Sequence, residues 1–287
     1  MKSLNQILVY FAVFLMVNLM ITCAPVTEGN TVVFIGAPAV SPNGKWITFG
    51  LYVVGSDTVG LPSTGQYIMS IDGSEKNLLF RRQSTDGITG IWSPDGRQMA
   101  TPNGIYTIKN NTVIDFRPIN PAIGITDWSP DGKNILFYNF IGGNIFMCDT
   151  LFNNIRELPF KALFPRWMSD GKHILCNIPP TGQHNDVCII DTLGVDTLHI
   201  THGIRGILSP VPSPDGNMIA YSRDNSIHVM NLDGSNHQWL DNGEYPAWTP
   251  DSKYIVYVSG NFESRYIMKI SIDGTEKIQI SNNLNVK

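Results

Sequence analysis

The chain has 287 residues, 43% hydrophobic and 15% charged, with a formal net charge of −4. That length and apolar content fit one large domain with a substantial core. So small a net charge, with no Arg-rich stripe, argues against nucleic acid or an anionic membrane surface as partner.

The first residues differ in kind from the rest. Met1-Lys2-Ser3 carries the one early charge, and Ile7 to Ile21 is apolar apart from Asn18. This is short for a spanning helix and fits a secretory signal over residues 1–22. Met20-Ile21-Thr22-Cys23 resembles a bacterial lipoprotein signal, in which Cys23 becomes the lipidated first residue. Cutting after Ala24 instead would place Pro25 next, which ordinary signal peptidases tolerate badly. An uncleaved anchor and a plain secreted form are the alternatives. Residues 23–30 then read as a short tether.

From Thr31 onward the chain repeats itself. The copies in order are Val40-Ser41-Pro42-Asn43-Gly44-Lys45, Trp92-Ser93-Pro94-Asp95-Gly96-Arg97, Trp128-Ser129-Pro130-Asp131-Gly132-Lys133, Trp167-Met168-Ser169-Asp170-Gly171-Lys172, Pro212-Ser213-Pro214-Asp215-Gly216-Asn217 and Trp248-Thr249-Pro250-Asp251-Ser252-Lys253. Pro presets φ for the second position of a type I turn, Asp tolerates the third, and Gly takes positive φ. Ser252 replaces that Gly in the last copy, which makes its turn the most strained. A strand follows each turn, as in Lys133-Asn134-Ile135-Leu136-Phe137-Tyr138. A second marker is a strand running into Asp-Gly, at Asp72-Gly73, Asp233-Gly234 and Asp273-Gly274. Each period of about forty residues therefore holds four strands, with no helical pattern. The expected fold is all-β: a six-bladed propeller of four-stranded antiparallel blades over residues 31–287.

The repeats resemble those of the TolB-type six-bladed propeller, the WD40-like "PD" repeat. The resemblance runs from about Thr31 to the C-terminus. It implies a protein-binding scaffold in a Gram-negative periplasm. Similar blades occur in non-catalytic propellers of prolyl-oligopeptidase-type peptidases and in polysaccharide lyases, so the motif speaks for fold more than for activity.

In a four-stranded meander, first-to-second and third-to-fourth turns share one face. Second-to-third turns and inter-blade links share the other. The regular Pro-Asp-Gly and Asp-Gly turns make a tight face, and the longer irregular loops make the opposite one, where binding is expected. Aromatic and Arg residues there are the binding candidates: Tyr52, Phe140, Arg205, Tyr245, Phe262 and Arg265. The recurrent Trp residues read as packing between blades. The residue before each Trp position should face the channel. Asp127 and Arg166, on neighbouring blades, are expected there as an ion pair. Ring closure stays open, because either Thr31-Val32-Val33-Phe34 or Lys277-Ile278-Gln279-Ile280 could be the outer strand of the last blade.

No nucleophile elbow, P-loop or dinucleotide motif occurs, and no cofactor is expected. His199 and His202 are expected on opposite faces of a strand, so they read as no metal site. Cys176 and Cys188 lie on two arms of one hairpin; with Cys148 they read as small buried hydrophobes, a bridge being the alternative. The expectation is an exported, lipid-anchored, non-enzymatic module that binds another envelope protein, at an outer membrane facing the periplasm. The alternative is a carbohydrate-binding or catalytic propeller with its site at the channel mouth.

Overall fold

The computed structural model describes residues 32–54, 64–81, 90–118, 124–138, 143–178, 186–204, 206–260 and 265–281. Every regular element among them is a β-strand. Blade one holds β1 (Val32–Ile35), β2 (Ala39–Val40), β3 (Trp46–Val54), β4 (Gly65–Ser70) and β5 (Lys76–Arg81). Blade two holds β6 (Ile91–Trp92), β7 (Gln98–Thr101), β8 (Gly104–Lys109) and β9 (Thr112–Pro118). Blade three holds β10 (Gly124–Trp128), β11 (Asn134–Tyr138), β12 (Asn144–Asp149) and β13 (Arg156–Lys161). Blade four holds β14 (Leu163–Trp167), β15 (His173–Ile178), β16 (Asp186–Asp191) and β17 (Thr197–His199). Blade five holds β18 (Leu208–Pro212), β19 (Met218–Arg223), β20 (Ser226–Asn231) and β21 (Gln238–Asn242). Blade six holds β22 (Glu244–Trp248), β23 (Tyr254–Gly260), β24 (Arg265–Ser271) and β25 (Lys277–Gln279).

Within each blade the strands pair in chain order. The one departure settles the ring closure. Both β1 and β2 pair with β3, β1 at Ile35↔Leu51 and β2 at Ala39↔Thr48. They are two halves of one inner strand, broken at residues 36–38. The outer strand of blade six is β25, which pairs with β24.

The core lies between blades, in six clusters that correspond to the six blade boundaries. Trp92, Trp128, Trp167 and Trp248 each sit in a different one. The cluster joining blade six to blade one contains Ile35, Ile47, Phe49, Leu51, Val256, Val258 and Ile267. Each fully buried Ile, Leu or Phe contributes roughly 1.5–3 kcal/mol. A short shared ladder would add only about 1 kcal/mol per bond. Side-chain packing therefore suffices to close the ring.

Each Pro-Asp-Gly turn carries a clamp. Ser93 Oγ donates to Asp95 Oδ1 at 2.6 Å and accepts from Gln98 N at 2.9 Å, while Asp95 Oδ1 accepts from Arg97 N at 3.0 Å. Ser129 with Asp131, Ser213 with Asp215 and Thr249 with Asp251 repeat it. In blade four Met168 stands at the Ser position, and Asp170 pairs with His173 Nδ1 at 2.5 Å instead. The turns also touch one another. A Cβ on Gly96, Gly132 or Gly171 would lie 3.7 to 4.0 Å from the Pro of the preceding blade's turn, and one on Gly44 would lie 3.6 Å from Pro250 of blade six. Ser252 does adopt a left-handed φ of 59°, and its Oγ accepts from Asp215 N at 3.1 Å. The turns thus form a closed ring on the tight face.

Candidate functional site

Each inner strand pairs outward with the second strand of its blade, so its edge toward the channel makes no ladder bonds. Pro165, Pro210 and Pro246 sit on these strands, where an N–H missing from the free edge costs nothing. The register of β10, β14, β18 and β22 slips just before the Trp position. Phe164, Ser209 and Tyr245 occupy the slip with left-handed φ of 52°, 49° and 60°. A bulge re-aims side chains, and each non-Gly residue held this way costs about 1–3 kcal/mol. Three adjacent blades accept that cost at one place.

Near the tight-face end of the channel, Asp127 and Arg166 bridge blades three and four. The Asp127 carboxylate accepts from Trp128 N at 2.9 Å and from Trp167 N at 2.8 Å. Arg166 Nη1 donates to Thr126 O at 2.5 Å. Each side chain bonds to the backbone of the other's blade rather than to the other's charge. That corrects the expected direct ion pair. The physical reason is the bulge between Ile125 and Asp127, which breaks the simple alternation behind that expectation. Burial raises the Asp127 carboxyl to about 6, against the opposing pull of the Arg166 charge and the two N–H bonds. Burial also pushes the Tyr138 hydroxyl up to about 12, with Arg166 pulling the other way.

At the opposite, loop end, β22 starts at Glu244 and β24 at Arg265. Arg265 Nη1 lies 3.5 Å from Glu244 Oε2, with both side chains partly buried. Arg265 Nε is buried and has no hydrogen-bond partner. Tyr245 N donates to Ser222 Oγ at 3.2 Å. Burial and then Glu244 raise the Tyr245 hydroxyl, while Arg265 lowers it. Of the predicted binding residues, the structure brings Tyr245 and Arg265 together. Tyr52 lies on β3 opposite Phe34. Phe140, Arg205, Phe262 and the expected lipidation residue Cys23 lie outside the described residues. Glu244 and Tyr138 were not singled out from sequence. Their signal is position: each stands where a strand meets the loop face.

The histidines also depart from expectation. The His199 and His202 rings stack at 6.2 Å, because β17 ends at His199 and strand alternation does not reach His202. Cys188 Sγ lies 3.4 Å from His199 Nδ1, and Asp186 Oδ2 3.7 Å from the same nitrogen. This resembles a nucleophile–base–acid arrangement. The thiol is wholly buried, however, and burial lifts it to about 12, the reverse of an activated thiolate. Cys176 stands directly across from Cys188, and both are free thiols, as is Cys148. Among the described residues, no three His, Cys, Asp or Glu side chains converge as a metal site.

No family model matches the chain. The Tol-Pal system protein TolB of Francisella tularensis subsp. holarctica (strain OSU18) is 26% identical, over 64% of this chain and 59% of that protein. The chain thus spans about 59% of the length of the curated relatives it matches. The crystal structure of TolB from Acinetobacter baumannii superposes with a TM-score of 0.62 at 19% identity, covering 86% of this chain and 63% of that one. A putative TolB from Agrobacterium tumefaciens gives 0.57 at 22% identity, covering 76% and 87%. On strand order and blade packing the chain is a six-bladed β-propeller, similar in fold and repeat to these TolB proteins.

Proposed function

We propose that the protein is an exported, non-catalytic binding module whose loop face docks another envelope protein on the periplasmic side of a bacterial outer membrane. The observation that carries this is the contrast between the two faces. The tight-face turns are locked by Ser–Asp clamps and pack on one another around the ring. On the loop face Tyr245 lies beside the part-buried Glu244–Arg265 pair. Aromatic and Arg groups on a rigid frame are what protein interfaces enrich. The name of the curated relatives, a Tol-Pal system protein, supports an envelope partner. Residues 1–22 serve as a signal, Cys23 as the lipidated end and residues 23–30 as the tether. A non-enzymatic role accords with the unactivated Cys188.

Affinity capture from a cross-linked envelope extract tests the reading. One envelope protein should be enriched by the wild type and not by a Phe262→Ala/Arg205→Glu variant. Equal enrichment by both would refute it. Lipidation has its own test. Cys23→Ser should free the protein from membranes or leave its signal uncleaved, whereas wild-type fractionation and mobility would refute an anchor at Cys23.

A further inference from the structure

Blade two departs from its neighbours at one turn. In blades one, five and six the third-to-fourth turn carries Asp-Gly and leans on the blade before it. A Cβ on Gly73 would lie 2.1 Å from Ile280 O, and one on Gly234 2.1 Å from Ile200 O. In blade two that turn shrinks to Asn110-Asn111, both left-handed at φ 51° and 57°, because Lys109 already pairs with Thr112. The shorter turn leaves a cleft of about 390 Å³ between blades one and two on the tight face. Trp46, Trp92 and Ile108 form its apolar part, and Asn43, Asn110 and Asn111 its polar part.

The chemistry of this lining is specific. No charged side chain lines the cleft, so a phosphate or carboxylate would find no counter-charge there. Asn43 Oδ1 is occupied by Ser41 Oγ and Lys45 N, which leaves its amide N–H groups as donors. The side-chain amides of Asn110 and Asn111 make no hydrogen bond among the described residues, so each offers both donors and acceptor. Trp92 lends the cleft its indole ring and no accessible donor. Its indole N–H is buried without a partner, as is that of Trp167, whereas Trp128 and Trp248 donate to Ile91 O and Val211 O of the preceding blade. A purely apolar ligand would leave three carboxamides unpaired. A sugar ring suits both parts, with its C–H face on an indole and its hydroxyls on the carboxamides. The volume lies at the lower end of small-ligand pockets, which fits one or two sugar rings.

We propose that this cleft, on the face opposite the protein-docking loops, is a binding site for a neutral saccharide. The test is titration of the full chain with maltotriose and with chitobiose, followed by tryptophan fluorescence and saturation-transfer NMR. A trimer of galacturonate is the charged control. At least one neutral saccharide should bind saturably with a Kd of about 1 mM or tighter, and the galacturonate trimer should not. Trp46→Leu should weaken binding by about tenfold or more, the scale of one lost stacking partner. Should Trp46→Leu fail to fold by circular dichroism, Asn111→Asp replaces it, since Asp keeps the left-handed turn and sets a charge at the rim. It should weaken binding measurably. No saturable binding of either neutral sugar by the wild type, or unchanged affinity in the folded variant, would overturn the assignment.

Discussion

At the scale of single residues, the turn aspartates do more than tolerate a backbone angle. Ser and Thr hydroxyls and backbone N–H groups hold Asp72 and Asp273 down at about 2, and similar clamps lower Asp131, Asp215 and Asp251. A carboxyl depressed in the folded state adds stability above its unfolded value and loses it as pH falls through the folded one. Thermal unfolding should therefore show stability lost between about pH 4 and pH 2. Asp127 acts in the opposite sense. Its contribution is complete below the unfolded value and lost as pH rises through about 6. Asp127→Asn should flatten the stability profile between those two values, and an unaltered profile would contradict the buried-carboxyl account. A double-mutant cycle at Asp127 and Arg166 should give a coupling of about 1 kcal/mol, since the two charges act on each other without a direct contact. A coupling near 3 kcal/mol, measured by urea unfolding, would restore the direct ion pair. The sequence allowed the neighbourhood of Asp127 and Arg166 to be read, but not their partners, because a bulge leaves no signature in residue types. The Ser hydroxyl of Ser-Pro-Asp-Gly was legible as a letter and overlooked as a group.

Among the elements, the same Gly serves two purposes that a single substitution separates. Gly132 and Gly234 both have positive φ, at 71° and 80°. A Cβ on Gly132 would meet only Pro94 Cδ at an ordinary 3.8 Å, whereas one on Gly234 would strike Ile200 O. Gly132→Ala should cost about 1 kcal/mol, the conformational penalty alone. Gly234→Ala should cost more than about 2 kcal/mol, because backbone must also shift. Equal losses in chemical unfolding would show that the turn does not lean on the blade before it. Strands and turns were the most legible elements, since Pro-Asp-Gly and alternating apolar residues encode them locally. The ends of elements were not. β17 stops at His199, which turns His202 back over it, and β1 joins blade one because Ile35 packs with Val256 and Ile267 across the ring. Long-range packing of that kind has no local signal.

For the whole molecule, six blade boundaries share the core, and the boundary between blades six and one is packed like the others. That ring gives one locked face and one face free to carry partner contacts. The repeat period made the architecture legible from sequence; the partner surface is less so, because loop chemistry obeys no repeat. The most direct measurement compares affinities for the captured envelope protein across the two faces. Phe262→Ala and Arg205→Glu should each weaken binding about tenfold or more, with the melting temperature nearly unchanged. Glu75→Lys and Lys133→Glu on the tight face should leave affinity unaltered. Lys277 is unsuited as a control, because its Nζ holds Asp241 at 2.6 Å. Equal loss from both faces, or loss only from the tight face, would contradict a loop-face binding module.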